Sequence, residues 1–137
     1  MFKRWLIMIT LLTLILEAFS VTALSKDMYA FDLKSKKPSL FKAYKSILPS
    51  EFLDLEWFSE LNGVSGPLTK VNEGGVEYLV GQSCEPHNCY SSRVKFMISS
   101  DGKRAIALLI DEDRINGALR FLGSPTNKEI VFLIDQK

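Results

Sequence analysis

Cysteine and histidine are almost missing from this 137-residue chain, which has two of the first and one of the second. With a single imidazole, no second histidine is left to serve a serine-based triad. No excess of charge of either sign is present. Without residues 1–23, which carry Lys3, Arg4 and Glu17, 15 basic side chains face 15 acidic ones. That balance points to no particular partner and gives no support to nucleic-acid binding, which needs a basic face. Internal repeats, low-complexity tracts and interdomain linkers are also lacking, and the length suits one domain with a modest core.

What is present begins at the N-terminus. Lys3 and Arg4 precede a short apolar run from Trp5 to Leu16, and Val21-Thr22-Ala23 offers a cut after Ala23. This is the layout of a secretory signal peptide over 1–23, leaving a domain over 24–137. The alternative, an uncleaved membrane anchor, needs about 20 apolar residues and the run is shorter. No lipobox cysteine follows it, which favours a soluble exported protein with no membrane attachment after cleavage. In an oxidising compartment the default for Cys84 and Cys89 is a disulfide.

The pattern beyond residue 24 changes once. Leu24 to Lys37 reads as a lead-in, with Lys34, Lys36 and Lys37 on a solvated face. Leu40, Phe41, Tyr44, Ile47 and Leu48 recur at helical spacing behind Ser39 as cap, and Pro49 ends that helix. Leu53, Trp57, Phe58 and Leu61 predict a second helix from Ser50 to Asn62-Gly63, with Trp57 either core or a ligand platform. From Gly66-Pro67 onward alternation replaces helical spacing. Strands are predicted over 68–71, 76–82, 93–99 and 103–110, with a turn over 72–75 and another over 100–102. A further short strand fits 118–122. Ser124-Pro125 reads as cap and first-turn proline of a C-terminal helix over 129–136, where Ile130-Val131-Phe132 suits a strand equally well. The triplet Asp111-Glu112-Asp113 invites a calcium reading but lacks the glycine and distal glutamate of an EF-hand loop, so a turn or helix cap fits better.

The stretch on which function turns is Cys84-Glu85-Pro86-His87-Asn88-Cys89. As a zinc site it offers Cys84, His87 and Cys89 but no fourth ligand, with a proline between them. As a catalytic site it offers a thiol beside an imidazole, without the two-residue cysteine spacing of redox motifs and without an orienting third group. Glu51, Glu56, Glu60 and Glu73 leave a two-carboxylate glycosidase formally open, although nothing pairs them across a cleft. As a binding loop it is a constricted hairpin tip carrying one imidazole, stiffened by Pro86. Closing so short a ring stabilises a fold by only about 2 kcal/mol, so preorganisation of a projecting tip is its better use. The bland alternative is a stapled turn with a solvated His87.

The loop resembles that of the inhibitors of vertebrate lysozyme, the Ivy family, exported proteins of Gram-negative bacteria that carry Cys-Lys-Pro-His-Asp-Cys. Cys84, Pro86, His87 and Cys89 match, with Gly75, Tyr78 and Val80 before the loop, Arg93 after it and Trp57 upstream; the similarity is strong between about Gly75 and Arg93. The resemblance implies an α+β fold, a central antiparallel sheet with flanking helices and a disulfide-closed loop, Cys84 to Cys89, protruding between two strands. It implies a periplasmic, non-enzymatic inhibitor of C-type lysozyme with no cofactor and no metal, monomeric or homodimeric. The loop would enter the lysozyme cleft, with His87 as key contact to the catalytic acid and its carboxylate partner. Glu85 and Asn88 depart from the family's lysine and aspartate, and Glu85 is expected either to steer toward a basic lysozyme or to sit badly beside its carboxylates. Tyr90 and Arg93 are open between partner contact and support of the loop, Arg93 also fitting a plain surface strand position. A second reading makes the same loop a periplasmic module controlling the cell's own murein enzymes, such as lytic transglycosylases.

Overall fold

The computed structural model describes residues 26–135; the leader expected over 1–23 lies outside them. The first described segment is more ordered than a lead-in. A 3-10 turn at Ala30–Asp32 runs into α1, Leu33–Lys36, because Ala30 and Leu33 are buried anchors. Lys34, Lys36 and Lys37 are exposed, as a solvated face requires. Helix α2, Pro38–Lys45, follows. Its cap is Lys37 and not Ser39, since proline at the first helical position needs no donor and the Lys37 carbonyl accepts from Leu40 and Phe41 N–H at 3.0 Å each. Leu40, Phe41 and Tyr44 are buried as their spacing predicts, and the Tyr44 hydroxyl donates to the Phe58 carbonyl at 2.7 Å.

The second helix is broken. A 3-10 turn at Ser50–Phe52 is separated from α3, Glu56–Ser59, by extended backbone at Leu55. One continuous helix would carry Leu53, Trp57 and Leu61 on a single stripe and leave Phe52 off it. The break buries Phe52 and Phe58 edge to face, 6.3 Å apart, and turns Leu53 outward, 46% exposed. Trp57 is core.

Five strands form one antiparallel meander in sequence order: β1 Thr69–Glu73, β2 Val76–Cys84, β3 Ser92–Ser99, β4 Ala105–Asp111 and β5 Leu119–Leu122. Gly74 and Gly75 link β1 to β2 with φ of 60° and 80°, the left-handed pair that a two-residue hairpin turn needs. Alternation divides the sheet's side chains between two cores. Leu79, Val94, Phe96, Ile98, Ala107 and Leu109 pack under the N-terminal helices. Tyr78, Val80, Met97, Ile106, Leu108 and Ile110 pack on the other face with Leu133 of α4, Asn127–Asp135. Val76 has the parity of Tyr78 and Val80 but lies exposed at the strand's start. Every residue of β4 is buried, as a central strand covered on both faces must be.

Helix α4 is capped by Thr126, not by Ser124-Pro125. Thr126 Oγ1 accepts from Glu129 N–H at 3.3 Å while Glu129 Oε1 accepts from Thr126 N–H at 3.2 Å, a reciprocal capping box. Glu129 is buried and also receives both arms of Arg104, at 2.6 and 3.1 Å. Burial alone would raise its carboxyl, but the Arg104 and Thr126 bonds outweigh it and hold the group below its usual range. The fold is therefore α+β, a five-stranded antiparallel sheet flanked by helices.

Candidate functional site

The β2–β3 hairpin carries the loop at one end of the sheet. Its ladder runs to Cys84↔Arg93 and is extended by Glu85 N–H donating to Ser92 O at 3.0 Å. Cys84 and Cys89 are disulfide-bonded, with Cα atoms 5.0 Å apart. Neither sulfur is a free thiol, which removes the zinc and Cys–His nucleophile readings of this loop. Among the described residues no three His, Cys, Asp or Glu side chains are grouped to hold a metal ion.

Two turns make up the tip. In the first, Asn88 N–H donates to Glu85 O at 3.0 Å, with Pro86 second and His87 third at φ 65°. Proline at the second position and a left-handed third residue are the marks of a type II turn, where glycine or asparagine is usual. His87 therefore holds a strained backbone conformation, and its side chain is exposed. In the second turn, Asn88 O accepts from Ser91 and Ser92 N–H at 3.2 and 2.9 Å, which carries Tyr90 around the bend. Tyr90 is 84% exposed.

The side chains of Glu85, Asn88, Arg93 and Arg114, unlike those of His87 and Tyr90, brace the tip. Asn88 Nδ2 donates to Glu85 Oε2 at 2.8 Å and to Ser92 Oγ at 3.2 Å. Arg114 Nη2 donates to Glu85 Oε1 at 3.1 Å while its Nη1 donates to the buried Asp111 carboxylate at 2.8 Å. The Asn88 amide first, then Arg114, holds the Glu85 carboxyl below its usual range. So Glu85 is not an outward charge at the rim; it is paired within the chain. Arg93 is a loop support: Nη1 donates to the carbonyls of Cys89, at 3.2 Å, and of Tyr90. Asp111 also closes the turn after β4, accepting from Asp113 and Arg114 N–H at 3.1 and 2.9 Å; no helix follows, so the acidic triplet is a turn and not a helix cap.

The root of the loop is anchored as well. Val64 and Cys84 exchange backbone bonds at 3.0 Å each, and Ser83 Oγ donates to Trp57 O at 2.6 Å while accepting from Gly63 N–H. A Cβ on Gly63 would stand 2.2 Å from the Cys84 carbonyl, so only glycine permits this approach. Sequence reasoning missed Arg114, Ser83 and Gly63, whose partners are distant in the chain. Elsewhere, shallow concavities lie beside Pro67 and Gln82 and beside Glu73 and Lys128, and the loop lines neither.

The tip is thus closed by one disulfide, braced by Arg93 and Arg114 and anchored at its root by Val64, and it leaves His87 and Tyr90 exposed. No helix among the described residues is long and apolar enough to cross a membrane. No protein-family model matches the chain. It is 31% identical over 55 residues to the inhibitor of vertebrate lysozyme of Pseudomonas aeruginosa, an overlap of 40% of this chain and 36% of that protein. It is also 26% identical over 103 residues to the uncharacterized protein PA5481 of the same organism, covering 69% of this chain and 66% of that one. The chain therefore spans just under two thirds of one relative's length and about a third of the other's, and its likeness to a lysozyme inhibitor is weak and partial.

Proposed function

We propose that this chain is an exported protein inhibitor of C-type lysozyme, working in the periplasm as residues 24–137 after loss of a 1–23 leader. It acts by binding, without catalysis of its own. The observation that carries the reading is the exposed imidazole of His87, held at φ 65° on a disulfide-closed turn whose Glu85 and Asn88 side chains bond within the chain. The 31% identity to a lysozyme inhibitor supports it.

The mechanism follows from what a glycosidase needs. Lysozyme works with two carboxylates of different pKa, one donating a proton and one staying ionised. An imidazole N–H placed between them gives both an alternative partner and fills the space of the scissile sugar. Because the tip is ordered before contact, little conformational entropy is lost when it enters. Glu85, already paired to Arg114 and Asn88, brings no unpaired carboxylate to that site.

The test is inhibition of a C-type lysozyme by residues 24–137, with His87→Ala alongside. Inhibition by the intact protein, weakened by about 2 kcal/mol or more in binding when the imidazole is removed, is the expected result. Equal inhibition by both proteins sinks the loop mechanism. No inhibition of lysozyme, with capture of a lytic transglycosylase instead, moves the same loop to an endogenous murein enzyme.

A further inference from the structure

One row of lateral partners runs across the end of the sheet just below the loop. Val64 pairs with Cys84, Cys84 with Arg93, Arg93 with Ile110, and Ile110 with Leu119. Lateral partners share a face, so these side chains line the α4 side of the sheet. The two ends of the row are apolar and open, Val64 at 52% and Leu119 at 50% exposure. Tyr90 lies on the loop, its carbonyl accepting a hydrogen bond from Arg93 of the row.

Single exposed apolar side chains are ordinary on a protein surface. Tyr90 differs in how it is held. It follows a disulfide-bonded cysteine, lies in a hydrogen-bonded turn, and has its carbonyl gripped by Arg93. Its backbone is fixed, and the ring has two torsions left to lose on contact, which is why tyrosine makes an inexpensive anchor in binding loops.

Resting on the inhibitor reading above, we infer that the docking surface extends beyond His87, with Tyr90 as a second anchor and Val64 and Leu119 as shoulders on which the rim of the lysozyme cleft seats. A cleft that binds sugars presents flat apolar walls edged by hydrogen-bonding groups, and a phenol ring suits both. The shoulders exclude water around the two anchors, as the near-neutral periphery of an interface does.

Binding kinetics of residues 24–137 on immobilised C-type lysozyme decide this. Tyr90→Ala is expected to raise Kd about tenfold or more, mostly through faster dissociation, while Tyr90→Phe keeps most of the affinity. The Val64→Ser, Leu119→Ser double variant is expected to lose about threefold, and all three variants should melt within a few degrees of the parent. A Tyr90→Ala Kd within about twofold of the parent, with the parent still inhibiting, overturns the second anchor and leaves the inhibitor reading standing. A loss accompanied by a fall in melting temperature of more than those few degrees overturns it too, by making Tyr90 a structural residue. No binding by the parent overturns the inhibitor reading and this assignment together.

Discussion

Asn88 and Glu85 face each other across the turn that displays His87, the amide Nδ2 donating to Oε2 at 2.8 Å. The pair bridges the same two residues whose backbone bond, Asn88 N–H to Glu85 O at 3.0 Å, closes the turn. It places an acceptor first and a donor second, where a lysine and aspartate in the resembled loop would stand in the reverse order. The exchange of charge that looked like a change at the rim is therefore absorbed inside the loop, with Arg114 supplying the countercharge.

His87 sits at φ 65°, where a side chain costs about 1–3 kcal/mol. Glycine removes that cost and gives back about 0.4–1 kcal/mol through a more flexible unfolded chain. His87→Gly is thus expected to be more stable than His87→Ala by about 1 kcal/mol in urea unfolding, while both lose inhibition. If glycine instead proves the less stable of the two, the turn is not strained and the imidazole, not the backbone, sets the local geometry.

The Glu85 carboxyl titrates below its ordinary value of 4.5 because Asn88 and Arg114 favour the charged form. A folded-state pKa lower than the unfolded one adds stability that is fully present above the unfolded value and is lost as pH falls through the folded one. The melting temperature of the parent minus that of Glu85→Gln should therefore be largest near neutrality and close below about pH 4.5. Glu129, also held low by its partners, titrates alike in both proteins and cancels in the difference. Arg114→Ala should shrink the same gap. The pair is partly solvated, so the whole effect is small. A gap that stays constant from neutrality down to acid would remove Glu85 from the braces.

Much of this architecture was legible before the structure. Period-two alternation marked the strands of the meander, and Gly74-Gly75 fell within the turn expected over 72–75. Helical spacing placed Leu40, Phe41 and Tyr44 in the core. The second helix failed because two phenylalanines, Phe52 and Phe58, do not fit one helical stripe, and burying both required the break at Leu55. The α4 cap was misplaced although its signal was present: Thr126 and Glu129 have capping-box spacing, and the Ser124-Pro125 pair two residues earlier distracted from it. At the tip, the hexapeptide marked the projecting loop and its disulfide. The braces were out of reach, because Arg114 and Glu85 are 29 residues apart and only the folded sheet brings the turn after β4 beside the β2–β3 hairpin.

Those braces bear on what the disulfide does. Closing a ring of this size removes enough unfolded-state freedom for about 2 kcal/mol, and the ladder to Cys84↔Arg93, the Glu85–Ser92 bond and the Arg93 grip on Cys89 rest on backbone atoms of the loop and not on the sulfurs. The hairpin should therefore survive reduction, while the turn under His87 gains freedom that must be lost again on binding. A Cys84→Ser, Cys89→Ser variant is expected to lose about 2 kcal/mol in urea unfolding and still melt cooperatively. Its inhibition of lysozyme should fall about tenfold or more at a temperature where it is fully folded, because ordering the free turn now competes with the contact. Both quantities come from one preparation, unfolding by circular dichroism and inhibition by cell-wall clearing. If inhibition survives in the folded variant, Arg93, Arg114 and Asn88 order the tip by themselves, and the bond between Cys84 and Cys89 serves only the fold.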